Sequence, residues 1–394
     1  MIKNFWISII IIIEIVCISC GSKTEIYQTR TKNGITDNEI TVGSSAALSG
    51  HASFLGTQLV QGSLSLINEV NSKNGIHGRK IRLISYDDGY EPDRCLENTK
   101  RLIQTDDVFI LFDYVGTPTA ATIINIVNEK KIPVLGLFTG AEFLRNPFQP
   151  YIINIRASYF KELEAITDFW VRRSKRRIAV FKQNDAFGAA VLSGAEIALA
   201  RHKIEPVIIG GYTRGKLPDK SVVAMIASKS PDAVVMVGTY TPLAYFVKMA
   251  KDSGLKDAEF HTVSFVGSEA FAGELLRLGG DVKNNVYVTQ VVPSPDDPFN
   301  AAAAEFRRLY KKYYPAEIPN YVAFEGFINA KILVETLRRC GHDLFREKLV
   351  TVIESMSDYN GNAGLISDIA PNNHTFFNDV KISTIKERSF QVIQ

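Results

Sequence analysis

The stretch ITVGSSAALSGHASFLGTQLVQGSLSLINEVNSKNGIHGRKIRLISYDDG, Ile40 to Gly89, reads as a strand, a hydroxyl-rich loop, an amphipathic helix, a turn and a second strand. Ile40 and Val42 begin a short apolar strand. Gly43 to His51 then supplies serines and glycines, the composition of a flexible turn whose backbone N–H groups can point outward. Leu59, Val60, Leu64, Ile67 and Val70 recur at helical spacing, and Asn74-Gly75 stops that helix. Ile81, Leu83 and Ile84 build the second strand, which ends in Tyr86-Asp87-Asp88-Gly89. Parallel strands joined by a helix put loops at the strands' carboxyl ends, where open α/β sheets bind ligands. The loop after the first strand is therefore a candidate site wall.

Outward from this unit the alternation continues. Pro92 to Gln104 reads as a helix, Val108 to Phe112 as a buried strand, Thr117 to Lys130 as a helix and Pro133 to Leu137 as a strand. After an extended Ile152 to Ile155 the pattern restarts, with strands at Ile178 to Phe181, Val207 to Ile209 and Ala233 to Val237, helices between them, and Val263 to Val266 as the last clear core strand. Two runs of βα units imply two similar lobes, although no sequence repeat links them. Beyond the strand Val286 to Val292, three helices follow without a strand, Ala301 to Tyr313, Tyr321 to Cys340 and Phe345 to Met356, and are expected to pack back onto the first lobe. Two short strands, near Val380 to Ile385 and Phe390 to Ile393, close the chain. The fold class is α/β, two doubly wound Rossmann-like lobes.

A length of 394 residues suits about two domains, and 46% hydrophobic with 22% charged residues is ordinary for a globular protein. A net charge of +3 is too small to argue for nucleic acid, and the one basic cluster, Arg172 to Arg177, reads as a solvated helix end or a phosphate patch. The N-terminus carries Lys3 and an apolar run from Phe5 to Ser19, too short and too interrupted by Glu14 to span a membrane, so residues 1–20 read as an export signal. Ile18-Ser19-Cys20 resembles the end of a bacterial lipobox, with Cys20 as the lipidated residue and Cys17 standing where Leu is usual; an ordinary signal peptide or an uncleaved anchor is the alternative. Residues 21–39 would then be a tether, and only Cys95 and Cys340 would remain in the mature chain, free or paired.

Several chemistries lack support. GSSAALSG does not have the G-x-G-x-x-G spacing of a dinucleotide fold, no Walker loop occurs, and Gly267-Ser268-Glu269-Ala270 breaks the nucleophile-elbow pattern. The six histidines have no partners at metal-ligand spacing and read as solvated or capping residues. Asp87-Asp88 could do acid/base work, or could hold the turn before Gly89.

Taken in order, ITVGSSAALSG, NGIHGRKIRLISYDD, IPVLGLFTGAEFLR, DAFG, PDAVVMVGTY, GLKDAEF and FVGSEAF carry a resemblance over Ile40 to about Met356. The chain resembles the periplasmic branched-chain amino-acid binding proteins, the type I solute-binding proteins that feed ABC importers. The resemblance implies two lobes joined by three crossovers, near Asn154 to Ser158, near Val291 to Pro295 and after Gly361, with a ligand held in the cleft and no cofactor. It divides the chain into a first lobe of 40–156 plus 294–365 and a second of 157–293 plus 366–394.

It also implies a site. Thr117 stands where the family uses a serine on the ligand carboxylate, at a helix start whose N–H groups favour an anion; a plain N-cap is the alternative. Phe138, Thr139 and Gly140 match the next carboxylate-binding segment, with the family threonine position falling on Gly140 and Phe138 replacing a small residue. Glu269 matches the acid that receives the ligand ammonium, with a solvated first-turn helix acid as the alternative, Tyr240 matches a tyrosine beside it, and Phe187 a pocket aromatic that Tyr159 would join, unless both are core. Leu55 stands where an aromatic often covers the ligand, and Tyr90 takes the position of a cysteine in the family's common disulfide. The expected function is therefore an exported, lipid-anchored solute-binding protein of an ABC importer, taking an amino acid or related small carboxylate and working with permease and ATPase subunits. The alternatives are a sensor of the same fold, or an α/β enzyme using Asp87, Asp88 or Glu269.

Overall fold

The computed structural model describes residues 33–394. The proposed export signal, Cys20 and most of the tether lie outside them. Residues 33–38 do not read as a tether in the structure. Gly34 N–H faces Asp107 Oδ2 at 3.4 Å, Thr41 N donates to Gly34 O at 2.7 Å, and Arg79 Nε donates to Thr36 O at 2.9 Å. A Cβ on Gly34 would collide with the backbone at Phe109, so polar composition here conceals a docked turn.

The first sheet contains β1 (Glu39–Ala46), β2 (Lys80–Asp87), β3 (Ile110–Phe112), β4 (Val134–Leu135) and β5 (Ile152–Ile153), all parallel, in the order β2-β1-β3-β4-β5. Its helices are α1 (Ser53–Ser72), α2 (Pro92–Gln104) and α3 (Thr117–Lys130). β1 is longer than its apolar residues suggest: Gly43 to Ala46 continue the strand, with Ala46 opposite Asp87, and Ser44 and Ser45 are fully buried. Their hydroxyls are satisfied inside, Ser44 Oγ by Asp113 O and Ser45 Oγ by Asp88 Oδ2 at 2.8 Å. The loop proper is only Ala47 to Ala52.

The second sheet has the order β12-β11-β10-β9-β8-β6-β7. It is built from α4 (Tyr159–Arg172), β6 (Ile178–Gln183), α5 (Ala186–Ala200), β7 (Ile208–Tyr212), α6 (Lys220–Ala227), β8 (Ala233–Val237), α7 (Tyr240–Asp252), β9 (Glu259–Thr262), α8 (Ser268–Leu278) and β10 (Val286–Gln290). After α9 (Ala301–Tyr313), α10 (Tyr321–Cys340) and α11 (Arg346–Glu354), the hairpin of β11 (Lys381–Lys386) and β12 (Ser389–Val392) adds antiparallel to β10. The last core strand before α8 is thus β9, and Ser264–Val266 is a 3-10 turn rather than a strand. Polar Glu259, His261 and Thr262 hid this strand. They are buried, with Glu259 receiving Arg173 Nε at 2.9 Å and lying 3.2 Å from His261 Nε2.

As expected, α9 to α11 return to the first lobe. Gly62 of α1 lies directly against the Ala323 carbonyl of α10, an approach only glycine permits. The chain crosses between lobes three times: from β5 to α4, from β10 to α9, and from α11 to β11. The first and third crossings run side by side, with Asn154 N donating to His374 O and Phe376 N donating to Asn154 O, both at 2.8 Å.

The Arg172 to Arg177 run does end a helix, Arg173 and Lys175 meeting Glu259, while the backbone N–H groups of Arg176 and Arg177 are held by Asp232. Cys95 and Cys340 are free and buried. Two histidines are not solvated: His374 is buried beside Glu354, and His261 is packed between Trp170 and Tyr287, where burial holds its pKa down to about 4. No group of three or more metal-ligating side chains is present among the described residues.

Candidate functional site

The loops that follow β3, β4, β6, β8 and β9 are the carboxyl-terminal loops of parallel strands, and they carry nearly every residue singled out above. After β3, Gly116 is the N-cap of α3 at φ 108, and Thr117 is the first helical residue. Its hydroxyl is therefore not spent on capping. Thr117 Oγ1 lies 2.7 Å from Thr139 Oγ1 and 3.4 Å from the Tyr159 hydroxyl. Thr139 Oγ1 also accepts Ala141 N at 3.3 Å, which fixes the loop after β4. Gly140 completes the group: its carbonyl accepts Tyr159 N at 2.7 Å, and any side chain there would run into the Tyr159 ring.

Buried charges of both signs lie near this hydroxyl group, Arg145 and Arg156 with Glu325 and Glu162. Arg145 Nη1 donates to Ala141 O and Nη2 to Arg156 O, both at 2.9 Å. Burial lowers the Arg145 pKa to about 10, which leaves it cationic at neutral pH. Arg156, 1% exposed, donates through Nη2 to Ser264 Oγ at 2.6 Å and to Glu325 Oε2 at 3.2 Å. Its guanidinium lies 4.3 Å from the Phe138 ring centroid. Burial keeps the Tyr159 phenol above its usual pKa, so it remains a donor. Two hydroxyls and a phenol thus meet at a helix start, a combination of donors chemically suited to an anion.

An aromatic cluster covers it from the second lobe. Phe265, in the turn after β9, has its ring 4.5 Å from Phe187, 5.5 Å from Phe138 and 5.9 Å from Tyr90. Tyr159 and Phe187 lie 5.4 Å apart. All five rings are buried, and they belong to one apolar cluster that runs from the first lobe into the second. Phe187 is set in place by Asp185, whose Oδ1 accepts the Phe187 and Gly188 N–H groups at the start of α5.

The structure thus brings Thr117, Thr139, Gly140 and Tyr159 into direct contact and joins Phe138 and Phe187 to them through Phe265. Tyr240 and Glu269 reach the first lobe at other points. Tyr240 meets Phe54 edge-on at 6.2 Å. Glu269 Oε1 accepts Tyr321 N, the first residue of α10, at 3.0 Å, while its Oε2 is buried without a partner. Burial pushes the Glu269 carboxyl up to about 7, against the lowering effect of the Tyr321 N–H. Leu55 packs on Gly267, just ahead of α8.

Phe265, Tyr90 and Arg156 were not assigned roles from sequence. Arg156 had a signal, the one charged residue in the crossover from Asn154 to Ser158. Asp87 and Asp88 hold the turn. Asp87 Oδ1 accepts the N–H groups of Leu48, Ser49 and Gly89, and Asp88 accepts Ser45 Oγ and Tyr90 N.

Two Rossmann-like lobes joined by three crossings, with hydroxyl-bearing and aromatic side chains meeting where the lobes face each other, are the architecture of a two-lobed solute-binding protein. A family model described as periplasmic binding protein matches residues 39–389, and the chain belongs to that family. Leu/Ile/Val-binding protein homolog 7 of Brucella abortus is 22% identical over 311 residues, 76% of this chain and 77% of that protein. The crystal structure of a possible leucine/isoleucine/valine-binding protein from Rhodopirellula baltica SH 1 is 32% identical, covers 93% of this chain and 98% of its own, and has a TM-score of 0.83. A solute-binding protein of an R. palustris ABC transporter, solved in complex with benzoate, shares the fold at 19% identity, with a TM-score of 0.79 over 90% of this chain and 96% of its own.

Proposed function

We propose that this protein is the exported, lipid-anchored solute-binding component of an ABC importer, and that it holds a small carboxylate between its lobes. One observation carries the ligand class: the Thr117, Thr139 and Tyr159 hydroxyls converge at the start of α3, with the Phe138, Phe187 and Phe265 rings beside them. The carboxylate would take the hydroxyls and the helix end, and the rings would cover an apolar or aromatic remainder. An α-ammonium group, in an amino-acid ligand, would be received by Glu269, whose Oε2 has no partner. The names of the relatives support a branched-chain amino acid, and the benzoate complex of the more distant neighbour supports an aromatic acid on the same fold. Capture would follow from the lobes turning about the three crossings. Cys20 would carry the lipid, and a permease and an ATPase would be the partners.

Isothermal titration of the mature protein against amino acids and aromatic and aliphatic carboxylates, with mass analysis of the recovered ligand, tests this. One class of carboxylate should bind and return unchanged. Turnover, or binding only of uncharged solutes, would refute it.

A further inference from the structure

We propose that Tyr90 determines ligand specificity, donating its phenol O–H to a second oxygen on the bound carboxylate, so that the crevice prefers a hydroxylated acid to its unsubstituted analogue. The proposal rests on the carboxylate reading above.

Tyr90 is fully buried, and its hydroxyl has no hydrogen-bond partner. A buried phenol without a partner forfeits its hydration for nothing in return, which is rare in native proteins unless a missing group completes it. Its surroundings place it in the crevice. The ring lies across Gly116, at the start of the same α3 that carries Thr117, and a Cβ at Gly116 would overlap it. On the other side the ring meets Phe265 of the second lobe. Tyr159, Gln183, Asp185 and Arg214 all lie close enough to act on the phenol, and the Arg214 guanidinium is 5.7 Å from the ring centroid.

The Gln183 amide beside it is engaged with other groups in this arrangement. Gln183 Nε2 donates to Asp185 Oδ2 at 2.6 Å, and its Oε1 accepts the Tyr212 hydroxyl at 3.2 Å. The Tyr90 O–H is also separate from the mutually bonded Thr117, Thr139 and Tyr159 hydroxyls, so a carboxylate satisfied by that group leaves the Tyr90 donor for another oxygen.

The backbone is held to keep the ring there. Tyr90 has φ 66, a conformation unfavourable for a bulky side chain, and its N–H is fixed by the buried Asp88 Oδ1 at 2.8 Å. A strained aromatic residue with an orphan hydroxyl, seated on a glycine at the anion site, is the arrangement of a ligand contact.

The test is calorimetric titration of wild type and Tyr90→Phe with matched pairs: benzoate against 3- and 4-hydroxybenzoate, and L-phenylalanine against L-tyrosine. Wild type should favour the hydroxylated member of at least one pair by about tenfold, as one good hydrogen bond provides. Tyr90→Phe should bring that pair to parity, the hydroxylated member losing the affinity that separated them, with an unfolding midpoint at or above that of wild type. Equal weakening of both members would make Tyr90 a packing residue and overturn the proposal, as would a wild type without preference. If wild type binds no carboxylate of any kind, the anion reading of Thr117 fails first and the Tyr90 assignment falls with it.

Discussion

A ligand that carries an ammonium group should expel a proton from Glu269 on binding, and the amount can be worked out. The Glu269 carboxyl is pushed up to about 7 by burial, with one oxygen on Tyr321 N and the other free. At pH 7 about half of the unliganded molecules therefore hold a proton there. An ammonium against Oε2 supplies an opposite charge at close range, which lowers a carboxyl pKa by about 1–3 units. Binding then releases about 0.4–0.5 proton per ligand at pH 7 and close to none at pH 9. The sign in affinity follows: binding strengthens as pH rises towards 7 and levels off above it.

Calorimetric titration at pH 7 in phosphate and in Tris measures the release, from the dependence of the observed heat on buffer ionisation enthalpy. Glu269→Gln should abolish it and weaken ammonium-bearing ligands while leaving plain carboxylates little changed. In the unliganded protein the same burial makes stability fall as pH rises from 4.5 to about 7, because the unfolded chain gives up this proton first. An amino acid that binds tightly with no proton release, or with undiminished release in Glu269→Gln, would refute the placement of its ammonium group at Glu269.

Three further outcomes are expected. Gly116→Ala should lower the thermal midpoint and weaken ligand binding, by about 2 kcal/mol or more in stability, because the new Cβ meets the Tyr90 ring at φ 108; an unchanged midpoint would contradict it. Arg156→Met should cost about 3–5 kcal/mol in denaturant titrations at pH 8.5, because Glu325 is left buried and unpaired. That cost should shrink at pH 5.5, since burial holds Glu325 up to about 7 even with Arg156 beside it and higher without it, so that the carboxyl is protonated and neutral there. Arg214 Nη2 reaches across the crevice to Glu91 Oε2 at 2.8 Å, with Glu91 half exposed. Arg214→Ala should therefore reduce ligand affinity by a factor of about five at most at low salt, and by nothing measurable in 0.5 M salt.

Much of the architecture was legible because its signals are local. The spacing of Leu59, Val60, Leu64, Ile67 and Val70, with Asn74-Gly75 to stop it, marks α1 within a few residues, and three successive helices without strands imply the return to the first lobe. What was hidden depends on distant partners. Ser44 and Ser45 look like loop residues until Asp113 and Asp88 satisfy them inside the sheet. Glu259 and His261 look exposed until Arg173 and Trp170 close around them. Thr117, Thr139 and Tyr159 are more than twenty residues apart at their extremes, and only the βα loops bring their hydroxyls together. Tyr90 and Phe265 carry no sequence signal of their own. One depends on a tolerated positive φ and a glycine elsewhere, the other on a turn that looked like a strand.

The most direct measurement is a crystal structure of the mature protein with the tightest-binding solute from the titration panel. The solute's carboxylate should lie within hydrogen-bond distance of Thr117 Oγ1 and Thr139 Oγ1, with Phe187 and Phe265 against its remainder and atoms of both lobes in contact. A solute seated on one lobe alone, or a carboxylate pointed away from the start of α3, would contradict the account.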